Sequence, residues 1–277
     1  MSGQAETLDH VGIVGRDLDA LAAVFANLGF VLTPLARHAG GRTGNRCILF
    51  RDGGYLELIA AVDGGGSATL DRFLSRYSGI HILALDIADP EAAAARLRRA
   101  GIDAHADRTE RSTDDSDPAA PHVAFALLTP PDPPEGRVHL IHHLTPDAMG
   151  QARFLTHPNQ AIRLEEVILV APIPAETAAR LSVLAGRPVQ PDPVGGYVLA
   201  LKSGRLRILP PESWATLHPD LTPPALPWIG GLTLATADGN AELHRLLDDR
   251  AIVHDRAADL VQVQAGGVMV RFRADRA

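Results

Sequence analysis

Hydrophobic and polar residues alternate along this chain in a pattern that occurs four times. The first copy opens with an apolar run at residues 8–14, LDHVGIV, and closes with YLELIA at residues 55–60. Between them, apolar residues recur at the spacing of one helix face, and the runs at residues 30–35 and 45–50 are typical of strands. This copy therefore predicts the order strand, helix, strand, strand, strand.

The same succession of runs starts again in GIHILALDI, LEEVILV and WIGGLTLAT. In the second copy, residues 109–121 are charged and rich in proline, which predicts a mobile loop. The repeat predicts an α+β fold of four βαβββ modules, two in each half of the chain. The predicted boundaries are a first domain at 1–146 with modules 6–62 and 79–144, a linker at 147–163, and a second domain at 164–277 with modules 164–211 and 227–275.

Polar side chains interrupt the apolar strands at matching places in the copies. In the first half these residues are His10, Glu57, His81 and His139. Alignment of the copies places opposite them, in the second half, Glu166, Arg207, Gly231 and Met269. The first half thus carries a polar tetrad that the second half lacks, and an ion pair between Glu166 and Arg207 is expected instead.

The tetrad has the composition of a metal site. A buried His or Glu must be hydrogen-bonded, paired or bound to a metal, because burying it alone is costly. Three imidazoles and one carboxylate suit a divalent ion such as Zn, Ni, Fe(II), Mn or Co. The alternative is a set of hydrogen-bonded core histidines with Glu57 facing outward. Recurrence at matching positions favours the metal site, in which His142, His143 or water are alternatives to His139 as fourth ligand.

Charge and composition narrow the class of partner. The net charge of −7 and the pI of about 5.9 argue against nucleic acid or an anionic membrane surface. No apolar stretch reaches the ~18 residues of a membrane span, and no secretory leader is visible. The single cysteine, Cys47, fits a reducing compartment. We therefore expect a cytoplasmic monomer or homodimer that acts on a small molecule.

The strand motifs resemble those of the vicinal oxygen chelate superfamily, which includes glyoxalase I and the extradiol dioxygenases. LDHVGIV, GRTGNRCILFRDGGYLELIA and GIHILALDI carry the resemblance, which is good over residues 6–146 and weak over 164–275. It implies that the four βαβββ modules form two tandem glyoxalase-like open barrels, in which paired modules surround a metal. The ligands that it implies are His10, Glu57, His81 and His139. The usual fourth ligand is Glu, so His139 departs from the pattern, and Glu57 is left as the catalytic base.

The resemblance implies a metal-dependent lyase or isomerase that binds a small oxygen-rich metabolite through two oxygen atoms. One alternative is an extradiol-type Fe(II) dioxygenase with His10, Glu57 and His81 as ligands. Another is a non-catalytic small-molecule binding or resistance protein. The candidate substrate-binding residues are Asn45, Arg46 and His143.

Overall fold

The computed structural model describes residues 3–38, 40–237, 239–257 and 260–275. The chain folds as four copies of one βαβββ module, which confirms the predicted α+β fold and its repeat. The first module consists of β1 (Ala5–Val14), α1 (Leu18–Asn27), β2 (Ala36–Arg37), β3 (Thr43–Leu49) and β4 (Tyr55–Ala61). After α2 (Ala68–Leu74), the second consists of β5 (Gly79–Ile87), α3 (Pro90–Arg99), β6 (Asp107–Ser112), β7 (His122–Leu128) and β8 (Arg137–His143).

A short helix, α4 (Pro146–Met149), and one 3-10 turn (Ala152–Phe154) lead into the second half. The third module consists of β9 (Ala161–Val170), α5 (Pro174–Ala185), β10 (Val189–Pro191), β11 (Tyr197–Ala200) and β12 (Arg205–Leu209). After α6 (Pro211–Leu217), the fourth consists of β13 (Trp228–Thr236), α7 (Ala241–Asp249), β14 (Asp255–Ala257), β15 (Leu260–Ala265) and β16 (Val268–Ala274). No helix in the described ranges has the length and apolar character needed to cross a membrane.

The modules of each half meet at their first strands. β1 and β5 run antiparallel in the first half, as β9 and β13 do in the second. The last strand of each module lies parallel to its first strand, so β4 flanks β1 and β8 flanks β5. The halves join at the Ile80–Ile229 pair of β5 and β13, and the described strands therefore form one open sheet.

Short polar side chains fix where the helices begin. The Asp17 carboxylate accepts a hydrogen bond from the Ala20 N–H at 2.9 Å, and Asp89 does the same for Ala92 at 3.0 Å. Pro90 then occupies the first turn of α3, where its missing N–H costs nothing. These caps place the apolar faces of the helices in a core that contains residues from both halves.

Two predictions of local structure were wrong. Residues 30–35 contain no strand, because Pro34 lacks an N–H and the Thr33 hydroxyl accepts the Cys47 N–H at 2.8 Å. Residues 109–121 were expected to form a loop, yet their first part belongs to β6, which pairs antiparallel with β7. A strand that is polar on both faces has no alternation of hydrophobic residues by which to identify it.

Candidate functional site

Strand register brings three of the four predicted metal ligands to one cavity. Glu57 pairs with Gly12, which lies two residues beyond His10 and therefore on the same face of β1. In the second module, His139 pairs with Ala84, which in turn pairs with His10. His10, Glu57 and His139 all line a cavity of about 580 Å³.

His81 is not among the residues that line this cavity. The pairing between β1 and β5 shifts by one residue at His81, and Ile82 faces the cavity at the position equivalent to His10. The buried His81 ring stacks on Phe73 and Tyr77 at centroid distances of 4.7 and 4.0 Å. Its Nε2 donates a hydrogen bond to the Tyr77 carbonyl at 2.8 Å. Burial lowers the pKa of His81 to about 4.

The orientation of His10 is set from behind by a carboxylate. Nδ1 of His10 lies 2.5 Å from Oδ1 of Asp9, whose other oxygen accepts a hydrogen bond from Nε2 of His143 at 2.9 Å. Burial favours a raised pKa for Asp9, but the hydrogen bonds from His10 and His143 outweigh it and hold that pKa at about 2. Asp9 therefore accepts the hydrogen bond of Nδ1 and leaves Nε2 of His10 facing the cavity, 3.8 Å from Oε2 of Glu57.

Glu57 is a buried carboxylate with one oxygen fully engaged. Its Oε1 accepts a hydrogen bond from the Asn45 amide and lies 3.4 Å from Nε2 of His38 and 3.6 Å from Arg111. Burial alone would raise the pKa of Glu57. The hydrogen bond with His38 and the charge of Arg111 outweigh burial and hold that pKa well below its usual range. Glu57 is therefore ionised at neutral pH, with Oε2 directed to His10.

His139 adds a neutral imidazole to the same cavity. Its Nδ1 is hydrogen-bonded with the Thr129 hydroxyl at 3.0 Å. Burial, followed by the charge of His10, lowers the pKa of His139 to about 3. A neutral imidazole and an ionised carboxylate are the forms in which these groups bind metal ions.

The donor chemistry of His10, Glu57 and His139 fits a divalent ion. The 3.8 Å between Nε2 of His10 and Oε2 of Glu57 is slightly longer than the ~3.4 Å that tetrahedral zinc geometry places between two ligands. As the side chains stand, no three His, Cys, Asp or Glu residues in the described ranges are grouped closely enough to hold an ion. The three residues would therefore have to draw together around one.

The structure places the predicted substrate-binding residues elsewhere than on the cavity wall. Asn45 is buried behind Glu57. Arg46 points to the surface, where it pairs with Asp19 at 3.3 Å. His143 supports Asp9 and lines a separate cleft of about 390 Å³. These residues thus lie behind the site or outside it.

Sequence reasoning missed Asp9 and Arg111. Asp9 is the second polar residue in an otherwise apolar run, and this signal was available beside His10. Arg111 has a side chain that is only 14% exposed and lines the cavity from β6, the segment that was expected to be a loop. Without the strand, nothing in the sequence directs Arg111 toward Glu57.

The second half repeats the register but not the chemistry. Ile168 of β9 pairs with Arg207 as Gly12 pairs with Glu57, so Glu166 and Arg207 occupy the positions of His10 and Glu57, as the alignment predicted. The residues aligned with His139 and His81 do not match the strand register. Since Thr233 pairs with Arg271 as Ala84 pairs with His139, the residue at the His139 position is Arg271 rather than Met269. By the same register Gly231 corresponds to Ile82, not to His81.

The expected ion pair between Glu166 and Arg207 is wrong. Glu166 is fully buried, with Arg205 at 2.5 Å and Arg271 at 3.2 Å from its carboxylate oxygens. Arg207 pairs instead with Asp192, through contacts of 2.5 and 3.0 Å. Charged groups that satisfy one another thus stand where the first half has candidate metal ligands.

Solved structures share this fold along almost the whole chain. A hypothetical protein from Staphylococcus aureus is 16% identical, with a TM-score of 0.70 and coverage of 97% of this chain and 99% of that one. A mutant of 4-hydroxymandelate synthase from Streptomyces coelicolor is 15% identical, with a TM-score of 0.63 and coverage of 98% and 93%. A Mn(II)-bound glyoxalase from Novosphingobium aromaticivorans is 13% identical, with a TM-score of 0.59 and coverage of 98% and 82%.

A sequence comparison with curated proteins finds no match. The family model of a glyoxalase-like domain, by contrast, matches residues 8–185, which is more than half of the chain. The matched range contains both modules of the first half and the cavity between them. This chain therefore belongs to the glyoxalase-like domain family.

Proposed function

We propose that this protein is a metal-dependent lyase or isomerase that binds a small oxygen-rich molecule through two oxygen atoms. The observation that supports this is the pair of facing donors, Nε2 of His10 and Oε2 of Glu57, 3.8 Å apart in a cavity shared with His139. The hydrogen bond from His10 to Asp9 is the carboxylate–histidine arrangement that orients imidazole ligands in metal sites.

Each of the three residues has a defined role in this proposal. His10, Glu57 and His139 would hold the ion, with Zn, Ni, Fe(II), Mn and Co as candidates, and a Mn(II)-bound glyoxalase with the same fold supports a divalent ion. A bound ion would supply Lewis-acid stabilisation of negative charge on a substrate oxygen. Glu57 is also the candidate base. Asn45 holds Oε1, so Oε2 would accept the proton, and Oε2 would have to release the ion to do so.

Elemental analysis of untagged protein tests the proposal. We expect about one divalent ion per chain in the wild type and its loss in His10→Ala, Glu57→Ala and His139→Ala. His142→Ala is the matched control, because His142 lies on the same strand as His139 but contacts the Ile87 carbonyl at 2.9 Å. Wild-type protein that binds no ion after reconstitution would contradict the proposal, as would loss of the ion only in His142→Ala.

A second candidate is an Fe(II) dioxygenase of the extradiol type. Ile82 stands where a fourth ligand is expected, so the cavity offers two histidines and one carboxylate, the set used by Fe(II) oxygenases. In the structure these are His10, Glu57 and His139, not the set with His81. Consumption of O2 by the Fe(II)-loaded protein with a catechol would favour this candidate, whereas ligand binding without turnover under any metal would favour a binding protein.

A cytoplasmic location and a monomeric or dimeric state stay predictions.

A further inference from the structure

The cavity that contains His10, Glu57 and His139 is only partly polar. Arg111 and His38 extend the polar part around Glu57. The apolar part includes Ile59, Leu70, Phe73, Ile82, Leu127 and Ile141. The volume of about 580 Å³ lies in the range of pockets that enclose ligands much larger than a few atoms. A ligand that fills it must therefore offer an apolar group as well as oxygen atoms.

Arg111 is a poorly satisfied charge in this cavity. Its ion-pair contact with Glu57 is 3.6 Å long, and its NH1 is buried without a hydrogen-bond partner in the described structure. Its neighbour Cys47 is an uncharged thiol, because burial raises the pKa of Cys47 to about 12. Arg137, by contrast, donates two hydrogen bonds to Asp132 at 3.0 and 3.2 Å. A guanidinium has five N–H donors, and leaving them unpaired when buried is costly.

The charge around Arg111 favours an anionic ligand. Glu57 and Arg111 cancel one another, and the ion of the proposed metal site would add two positive charges. The acidic residue Glu110 also lines the cavity, but its side chain is 51% exposed and contacts His122 at 3.4 Å and Arg108 at 3.8 Å. The Arg111 side chain is 14% exposed, and a ligand carboxylate at this exposed part would add a charge-assisted hydrogen bond to the guanidinium.

We infer that the ligand of this cavity is an organic acid that carries an apolar group of about the size of an aromatic ring. Its carboxylate lies on Arg111, and its apolar group lies against Phe73, Ile82 and Leu127. This inference rests on the proposed function, since it names the substrate class of the same cavity. It also narrows the expectation of a small oxygen-rich metabolite, because such a molecule would leave the apolar wall uncovered.

Calorimetric titration with three probes tests both parts of the inference. The probes are phenylglyoxylate, glyoxylate, which lacks the ring, and methyl phenylglyoxylate, which lacks the charge. We expect wild-type protein to bind phenylglyoxylate at least tenfold more tightly than either of the others. Arg111→Gln should weaken the binding of phenylglyoxylate at least tenfold and leave the ester unaffected. Arg108→Gln is the matched control on the same strand, where the side chain is 69% exposed, and should change neither.

Three results would overturn the inference. They are equal affinity of wild-type protein for acid and ester, equal affinity for acids with and without the ring, and equal loss of acid and ester binding in Arg111→Gln. The first two need no variant, so the test survives if Arg111→Gln does not fold. Elemental analysis of the same samples separates this inference from the proposed function. If protein without metal prefers the aromatic acid, the inferred ligand is supported and the proposed metal site is contradicted. If the protein contains metal but shows no such preference, the metal site is supported and the inferred ligand is contradicted.

Discussion

His10 and His81 show how the surroundings of one residue decide what its imidazole does. Both rings are buried, and they lie on neighbouring strands. Nδ1 of His10 contacts the Asp9 carboxylate, and Nε2 is directed into the cavity toward Glu57. His81 is packed between aromatic rings, and its Nε2 proton is used by a backbone carbonyl. The first ring thus faces the cavity, whereas the second is packed among aromatic side chains.

Stability should fall on acidification partly because of His81. Its folded pKa of about 4 lies below the usual value of 6.5, so between these two pH values the unfolded chain binds a proton that the folded chain does not. The stability is complete above pH 6.5 and decreases toward pH 4, by at most about 3 kcal/mol from this residue. His81→Phe keeps the aromatic stack. In metal-free protein, the free energy of unfolding measured in urea should depend less steeply on pH between pH 4 and 6.5 in this variant than in wild type. The exposed control His105→Phe should keep the wild-type dependence of the free energy of unfolding on pH.

Asp9 should determine how tightly the proposed ion is held. Asp9→Asn removes the charge that keeps the proton of His10 on Nδ1, and loss of such partners weakens metal binding about 10- to 100-fold. Competition with a chromogenic chelator measures this change. Asp86→Asn is the control, because Asp86 and Asp9 both line the cleft of about 390 Å³ that contains His143, but Asp86 has no hydrogen bond to His10. Equal affinities in the two variants would show that Asp9 does not support the site.

The order of elements followed from the sequence, whereas their exact register did not. Apolar periodicity predicted four βαβββ modules, and these are present. The bulge at His81 depends on how β5 pairs with β1, and a shift of one residue moves a side chain to the other face of a strand. His139 was placed correctly with Glu57 because its strand is regular, while Arg111 lies on a polar strand that no apolar pattern reveals.

The helix α6 should stabilise the second half by filling its interior. Trp214 is fully buried, packs edge-on against Trp228 at 5.1 Å and donates a hydrogen bond to the Leu221 carbonyl at 2.7 Å. Trp214→Ala should lower the free energy of unfolding by about 3–5 kcal/mol, because the cavity left behind adds to the lost burial. Leu217→Ala on the same helix should have a small effect, since Leu217 is 37% exposed. Metal content should be unchanged in both variants, and its loss in Trp214→Ala would show that the halves are coupled at the site.

Contacts across the whole molecule tie the two halves together. One apolar cluster contains residues of both, and the rings of Phe30 and Phe272 stack across it at 5.9 Å. Backbone contacts add to this, because the Leu8 N–H donates to the Ser203 carbonyl at 3.2 Å. The Arg187 guanidinium donates to the carbonyl of residue 5 at 2.7 Å. Sequence reasoning treated the halves as separate barrels, since nothing in a linear pattern shows which apolar faces will share a core.

Because the halves share a core, they should unfold in a single transition. The tryptophans, Trp214 and Trp228, both lie in the second half and the only cysteine, Cys47, lies in the first, so each half has its own probe. In urea, tryptophan fluorescence and the reactivity of the Cys47 thiol should change at the same midpoint. Arg187→Gln should lower both midpoints together, because loss of the charged hydrogen bond lowers the free energy of unfolding by about 1–3 kcal/mol. The exposed control Arg245→Gln should lower neither midpoint. A thiol that becomes reactive before the fluorescence changes would show instead that the first half unfolds on its own.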